Sequence, residues 1–219
     1  MRNNLLELIK EKESYGGNYN ILARDKPDND RKLTNMTLKE LVAYQKKNND
    51  KAAGAYQFKP DTIRMLMKNM GLKNTDKFTP ELQERMGNKL LDYRGYGAYE
   101  RGEMPPEEFA RNIAQEWASF PVIANEQYIN PVGGAKRNLQ EGKSYYKGKG
   151  TNKSLFSPEE YNDYKFLIQD NSLYVDPALF GTAIEEPVVE EPASLEPPKE
   201  LNFFEKLFRW YLLLPLYSP

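Results

Sequence analysis

Leu5, Leu6, Leu8 and Ile9 open the chain at helical spacing, with Glu7, Lys10 and Glu11 set among and after them. This pattern predicts an amphipathic helix with one face turned inward. At roughly 100° per residue, Glu13 falls on the same apolar arc, whereas Glu7 and Glu11 point away from it. Ser14-Tyr15-Gly16-Gly17 follows directly, and the glycines predict the end of the helix within a few residues. Further helices are marked by their ends. Thr37-Leu38-Lys39-Glu40 reads as a capping box opening a helix through Leu41, Val42 and Tyr44. Lys59-Pro60-Asp61 leads into Ile63, Leu66 and Met67, with Gly71 placed to stop the run. Thr79-Pro80-Glu81 starts a helix carrying Leu82, Met86, Leu90 and Leu91. Pro105-Pro106-Glu107-Glu108 starts another, with Phe109, Ile113 and Trp117 four residues apart, and Ser157-Pro158-Glu159-Glu160 one more. The polar, Asp-rich stretch from 16 to 36 has no helical period, and a short sheet or irregular lobe is expected there. The fold class is α+β, mainly α-helical.

The pattern breaks after about residue 184. Glu185 to Glu200 holds six glutamates and four prolines, a composition that predicts a disordered, extended acidic linker. Beyond it, Phe203, Phe204, Leu207, Phe208 and Tyr211 return to helical spacing, interrupted by Glu205, Lys206 and Arg209. The apolar run from Trp210 to Tyr217 is far short of the ~20 residues that span a bilayer. A C-terminal amphipathic helix over 201–219 is therefore expected, either docking on a membrane surface or a virion protein or folding back onto the main domain.

Composition narrows the chemistry sharply. The chain of 219 residues has no histidine and no cysteine. It therefore has no Ser/His/Asp triad, no Cys/His pair, no His- and Cys-rich zinc site and no disulfide framework. Carboxylates remain, and they are the groups that break glycosidic bonds, where an acid must protonate the leaving oxygen of an acetal. A partly desolvated Glu13 at a helix boundary would keep its proton near neutral pH. The alternative for Glu13 is a capping or neutralising role. The net charge of −1 conceals an asymmetry, because residues 185–219 carry seven acids and three bases, leaving 25 acids and 28 bases in residues 1–184. That excess of three is too small for a nucleic-acid partner and suits a neutral or weakly anionic polymer. The N-terminus lacks the unbroken apolar core of a signal peptide, so synthesis in the cytoplasm without ordinary secretion is expected.

Three more segments bear on function. Ala52-Ala53-Gly54-Ala55-Tyr56-Gln57-Phe58 offers small residues, a ring and an amide, as a ligand strip or as a tight packing turn. Glu116-Trp117-Ala118-Ser119-Phe120-Pro121 ends a helix with two rings of the kind usually found in cores. Gly142 to Lys153 is a glycine-rich loop carrying Ser144-Tyr145-Tyr146, whose paired rings suit sugar faces or are ordinary surface residues.

Taken in order, the Glu13-Ser14 step, the Gly-Ala-Tyr-Gln-Phe strip, the Trp-Ala-Ser-Phe-Pro helix end and the Ser-Tyr-Tyr loop ending in Asn152-Lys153 resemble the lysozyme-like murein-cleaving domains of bacteriophages. These comprise the lambda phage endolysin group and related virion-associated muramidases. The resemblance covers roughly residues 1–155 and implies a lysozyme-like catalytic domain over 1–156. A helical extension over 157–184, the linker over 185–200 and the apolar segment over 201–219 would follow. It implies peptidoglycan glycan strands as substrate and no cofactor or metal. Synthesis would take place in the host cytoplasm and action at the cell wall, either free or virion-associated. By the resemblance, Glu13 takes the place of the catalytic glutamate. Ser14, Tyr56, Gln57, Tyr145 and Tyr146 fall in substrate-binding segments. Residues 34–37 and Tyr93-Arg94-Gly95-Tyr96 are further candidates for the cleft. One phage lysozyme pattern places a second acid nine residues after the catalytic glutamate, and position 22 here is Leu. Asp25, Asp28 and Asp30 are the candidate second carboxylates. Without one, lytic transglycosylation is the simplest outcome. The competing reading is a non-catalytic virion or cell-wall-binding protein that retains the fold.

Overall fold

The structure is a computed structural model that describes residues 1–23, 32–131, 134–148 and 153–170. The elements run α1 (Arg2–Glu13), a 3-10 turn (Leu33–Asn35), α2 (Leu38–Lys47), α3 (Pro60–Met70), α4 (Pro80–Tyr93), α5 (Tyr96–Glu100), α6 (Pro106–Glu116), β1 (Glu126–Ile129), β2 (Lys136–Leu139) and α7 (Pro158–Gln169).

The helices start where their capping chemistry dictates. Thr37 accepts from the Glu40 N–H at 3.3 Å while the Glu40 carboxylate accepts from the Thr37 N–H at 2.8 Å, satisfying two otherwise orphaned donors reciprocally. Ser157 and Glu160 repeat the device at α7. Proline occupies the first turn of α3, α4, α6 and α7, where its missing N–H costs nothing. α1 ends at Glu13, and the chain then turns through left-handed backbone at Tyr15, Gly16 and Gly17.

One core gathers the inward faces of these helices. Leu5 and Ile9 of α1, Leu41 of α2, Ile63 and Leu66 of α3, Met86 and Leu90 of α4, and Phe109 and Ile113 of α6 are all buried. Tyr99 stacks on Phe109 at 4.2 Å between ring centroids, and its hydroxyl donates to the Ile168 carbonyl at 2.8 Å. That bond, with buried Tyr164 and Ile168, fastens α7 onto the same core.

The sheet differs from expectation. β1 and β2 form an antiparallel hairpin in which Tyr128 faces Arg137 and Glu126 faces Leu139. Its short strands, Glu-Gln-Tyr-Ile and Lys-Arg-Asn-Leu, lack the β-branched alternation that announces a strand. In the 16–36 stretch, Leu22 makes an isolated bridge to Ala53, and residues 24–31 lie outside the described residues. The short helix α5 was not foreseen either. The expectations for 185–200 and 201–219 also fall outside the described residues. No helix among the described residues is long and apolar enough to cross a membrane.

Candidate active site

Glu13 is the last residue of α1, and the residue as a whole is half-buried. One carboxyl oxygen, Oε1, accepts both the Ser119 N–H at 3.2 Å and the Ser119 hydroxyl. Ser119 follows the end of α6, 106 residues further along the chain. Burial holds the Glu13 carboxyl above its ordinary value, helped by the negative charge of Glu116 and opposed by the two Ser119 donors. The balance favours the protonated acid. Glu116 is itself buried and ion-paired with Arg94, whose Nε donates to it at 2.8 Å. That pair gives the second carboxylate near Glu13 a matching cation.

The segment carrying Ser119 is fixed from several sides. Trp117 Nε1 donates to the Tyr56 carbonyl at 3.1 Å, the Ser144 hydroxyl to the Ala118 carbonyl at 2.8 Å, and the Tyr146 hydroxyl to the Gln115 carbonyl at 2.7 Å. α1 is fixed as well. Lys10 reaches Glu7 at 2.8 Å and Glu84 of α4 at 3.0 Å, and Lys12 reaches Glu160 of α7 at 2.6 Å. Glu84 also accepts the hydroxyls of Tyr56 at 2.6 Å and Tyr19 at 2.7 Å. Burial would raise the Glu84 pKa, but these three donors outweigh it and hold the carboxylate below its ordinary value.

Several residues expected to touch substrate are buried or bonded within the chain. Ser14 is fully buried, and its hydroxyl donates to the Lys10 carbonyl at 2.7 Å; it closes α1. Tyr56 is 1 % exposed and packs where Gly87 leaves room, since a Cβ at Gly87 would come within 2.6 Å of its ring. Of the two readings for the strip, the tight turn is realised. Ala53 and Phe58 exchange backbone bonds at 3.0 and 2.9 Å, and half-buried Gln57 turns its amide back onto the Gly54 carbonyl at 2.8 Å. Tyr145 and Tyr146 are buried too, and Tyr145 stands edge-on to both Tyr146 and Tyr128. Of the remaining candidates, Thr34 donates twice to Asn20 Oδ1 and Tyr96 lies in the core. Asp25, Asp28 and Asp30 lie outside the described residues.

Ser119 stood out only as part of the Trp-Ala-Ser-Phe-Pro helix end, and nothing local marked Glu84 or Lys10 as partners of these segments. The one legible hint was a polar residue, Gln83, in register with Met86 and Leu90 on the apolar face of α4. Buried Gln83 accepts from the Ala55 N–H at 2.9 Å and donates to the Phe78 carbonyl at 3.0 Å.

Beside the glycine turn, a groove of about 370 Å³ is lined by Glu7, Lys10, Glu11, Gly16, Gly17 and Tyr19. A wider one of about 530 Å³ between α1 and α7 includes Leu8, Tyr164 and Leu167 but not Glu13. The Glu13 carboxyl lines neither of these two grooves. Among the described residues no group of three or more acids is arranged to hold a metal ion.

A family model described as Endolysin matches residues 10–152, a span that includes Glu13, Glu84, Glu116 and Ser119. No curated protein matches the chain, and no solved structure does.

Proposed function

The chain belongs to the endolysin family, and on that premise we propose that it cleaves the β-1,4 bond between N-acetylmuramic acid and N-acetylglucosamine in peptidoglycan, with Glu13 as general acid. Membership makes it a peptidoglycan-degrading enzyme of phage cell-wall lysis; the bond and the acid are the finer reading. The observation that carries it is the Glu13 carboxyl, lifted in pKa by burial and gripped at Oε1 by Ser119. With Oε1 accepting two donors, the proton belongs on Oε2, which is the atom to deliver it.

Transglycosylation is the version that the described residues favour. Position 22 is occupied by a fully buried Leu, and Glu116, the acid whose charge bears on Glu13, is committed to Arg94. In this reaction Glu13 gives its proton to the glycosidic oxygen as the bond to the muramic acid C1 breaks, and the N-acetylglucosamine leaves as an alcohol. The carboxylate then takes the proton of the muramic acid 6-hydroxyl as that oxygen bonds to C1, closing a 1,6-anhydro ring. Glu13 ends protonated, and no water is consumed.

The test is Glu13→Gln on purified peptidoglycan, with products from ¹⁸O-labelled water analysed by mass spectrometry. The amide cannot donate the proton, so a loss of about 10²–10⁴-fold is expected for a well-folded variant, with Glu11→Gln as the surface control. Retention of more than about a tenth of the rate removes Glu13 as the acid, since general acid catalysis contributes far more than that. Label on reducing muramic ends would replace transglycosylation by hydrolysis and turn attention to Asp25, Asp28 and Asp30.

A further inference from the structure

The hairpin carries an arginine whose charge no carboxylate matches among the described residues. Arg137 lies with its guanidinium carbon 4.6 Å from the Tyr145 ring centroid and 5.7 Å from that of Tyr146. Both rings are buried, so the cation rests on a fixed aromatic floor. It makes no ion pair with any carboxylate among the described residues, and the acids of its neighbourhood are taken. Glu126, on the paired strand, accepts Arg111 at 2.6 and 2.7 Å. Glu141 accepts Lys165 at 2.5 Å and the Tyr161 hydroxyl at 2.8 Å. Arg111 makes the contrast clear. It lies 4.6 Å from the Tyr128 ring, directly across the hairpin from Arg137, and it has its acid.

The aromatic floor also joins Arg137 to the catalytic segment. Ser144, next to Tyr145, donates to the Ala118 carbonyl, and Tyr146 donates to the Gln115 carbonyl, on either side of Trp117 and just ahead of Ser119. A guanidinium that is half-buried, held against the Tyr145 ring and paired with no carboxylate among the described residues is preorganised for an anion, and its planar fork of donors matches a carboxylate. The geometry points to Arg137 as a carboxylate-binding subsite for the acidic substituent that a muramic acid strand bears beside the scissile bond. The carboxylate is that of the bare lactyl group or one on an attached peptide. This inference rests on the glycosidase reading above and specifies which part of the substrate the hairpin recognises.

The test measures binding of three ligands by the full chain carrying Glu13→Gln, with and without Arg137→Gln. The ligands are a chitooligosaccharide with no carboxylate, peptide-free glycan strands with bare lactyl carboxylates, and peptide-bearing strands. Losing a charge-assisted bond should weaken the carboxylate-bearing ligands by about tenfold or more, with the chitooligosaccharide little affected. Arg137→Lys, which keeps the charge without the fork, should lose less and serves as the test should the glutamine variant fail to fold. Weakening on peptide-free strands identifies the lactyl group; weakening confined to peptide-bearing strands identifies the peptide. Equal loss on all three ligands, no loss, or no binding to begin with overturns the assignment. The glycosidase reading fails separately, if the native chain cuts no strand at all.

Discussion

Replacing Ser119 by alanine removes the hydroxyl donor from Glu13 Oε1 and leaves the backbone N–H in place. Both donors stabilise the charged carboxylate, so losing one lifts the Glu13 pKa further above its ordinary value. A hydrogen bond to a charged group is worth about 1.5–3 kcal/mol. At about 1.4 kcal/mol per pH unit, the shift is about one to two units upward. Ser119 is only 6 % exposed, so bulk water reaches the vacated position poorly. The assay is the pH dependence of kcat/KM on purified peptidoglycan, whose alkaline limb reports loss of the proton from the free enzyme's acid. That limb should move to higher pH in Ser119→Ala, and the enzyme should stay active in a range where the native protein has lost its acid. An alkaline limb that stays put or moves down would refute the claim that Ser119 tunes Glu13.

Three further outcomes follow from the same geometry. Because the folded Glu13 pKa is raised, the charged form costs stability at neutral pH. Glu13→Gln should therefore raise the melting temperature at pH 7, with the gain shrinking as pH falls toward the ordinary carboxyl value of 4.5; an unchanged melting temperature at both pH values would contradict this. Glu84→Gln disturbs the acceptor that gathers Lys10, Tyr19 and Tyr56 and should cost about 1–3 kcal/mol by denaturant titration. Since the Glu84 pKa is lowered, that difference should be full at pH 7 and fade below 4.5. Gly87→Ala drives a methyl to within 2.6 Å of the Tyr56 ring and should destabilise by about 1–3 kcal/mol, with calorimetry as the measure.

The helices were legible because their signals are local. A threonine and a glutamate three residues apart are enough to start α2, and a proline in the first turn marks α3, α4, α6 and α7. Glu13 could be singled out for the same reason, since its place on the apolar arc of α1 is a property of thirteen consecutive residues. What stayed hidden depends on contacts between distant segments. Nothing in Trp-Ala-Ser-Phe says that its serine will meet an acid on the first helix. Nothing in the solvated-looking Lys10 says that α4 will supply Glu84. The tyrosines at 145 and 146 read as sugar-facing or surface rings, and Tyr56 as part of a ligand strip or a packing turn, because the aromatic signal does not distinguish a wall from a face. The hairpin was missed because its four-residue strands draw their stability from Arg111, Tyr128, Arg137 and Tyr145 stacking on one another, a tertiary cause with no period-two trace.

The separation between Glu13 and Ser119 also has a consequence in time. The acid is made with the first helix, while the residue that grips it emerges 106 positions later. At a synthesis rate of roughly 5–20 residues per second, that interval is about 5–20 s. Lys12 waits longer still for Glu160, 148 positions on. Until these arrive, the glutamate is an ordinary solvated carboxyl at the end of an unsupported helix, with no reason to hold a proton at neutral pH. A growing or prematurely ended chain thus carries Glu13 without the contacts that raise its pKa, and that environment is complete only once synthesis has passed α7.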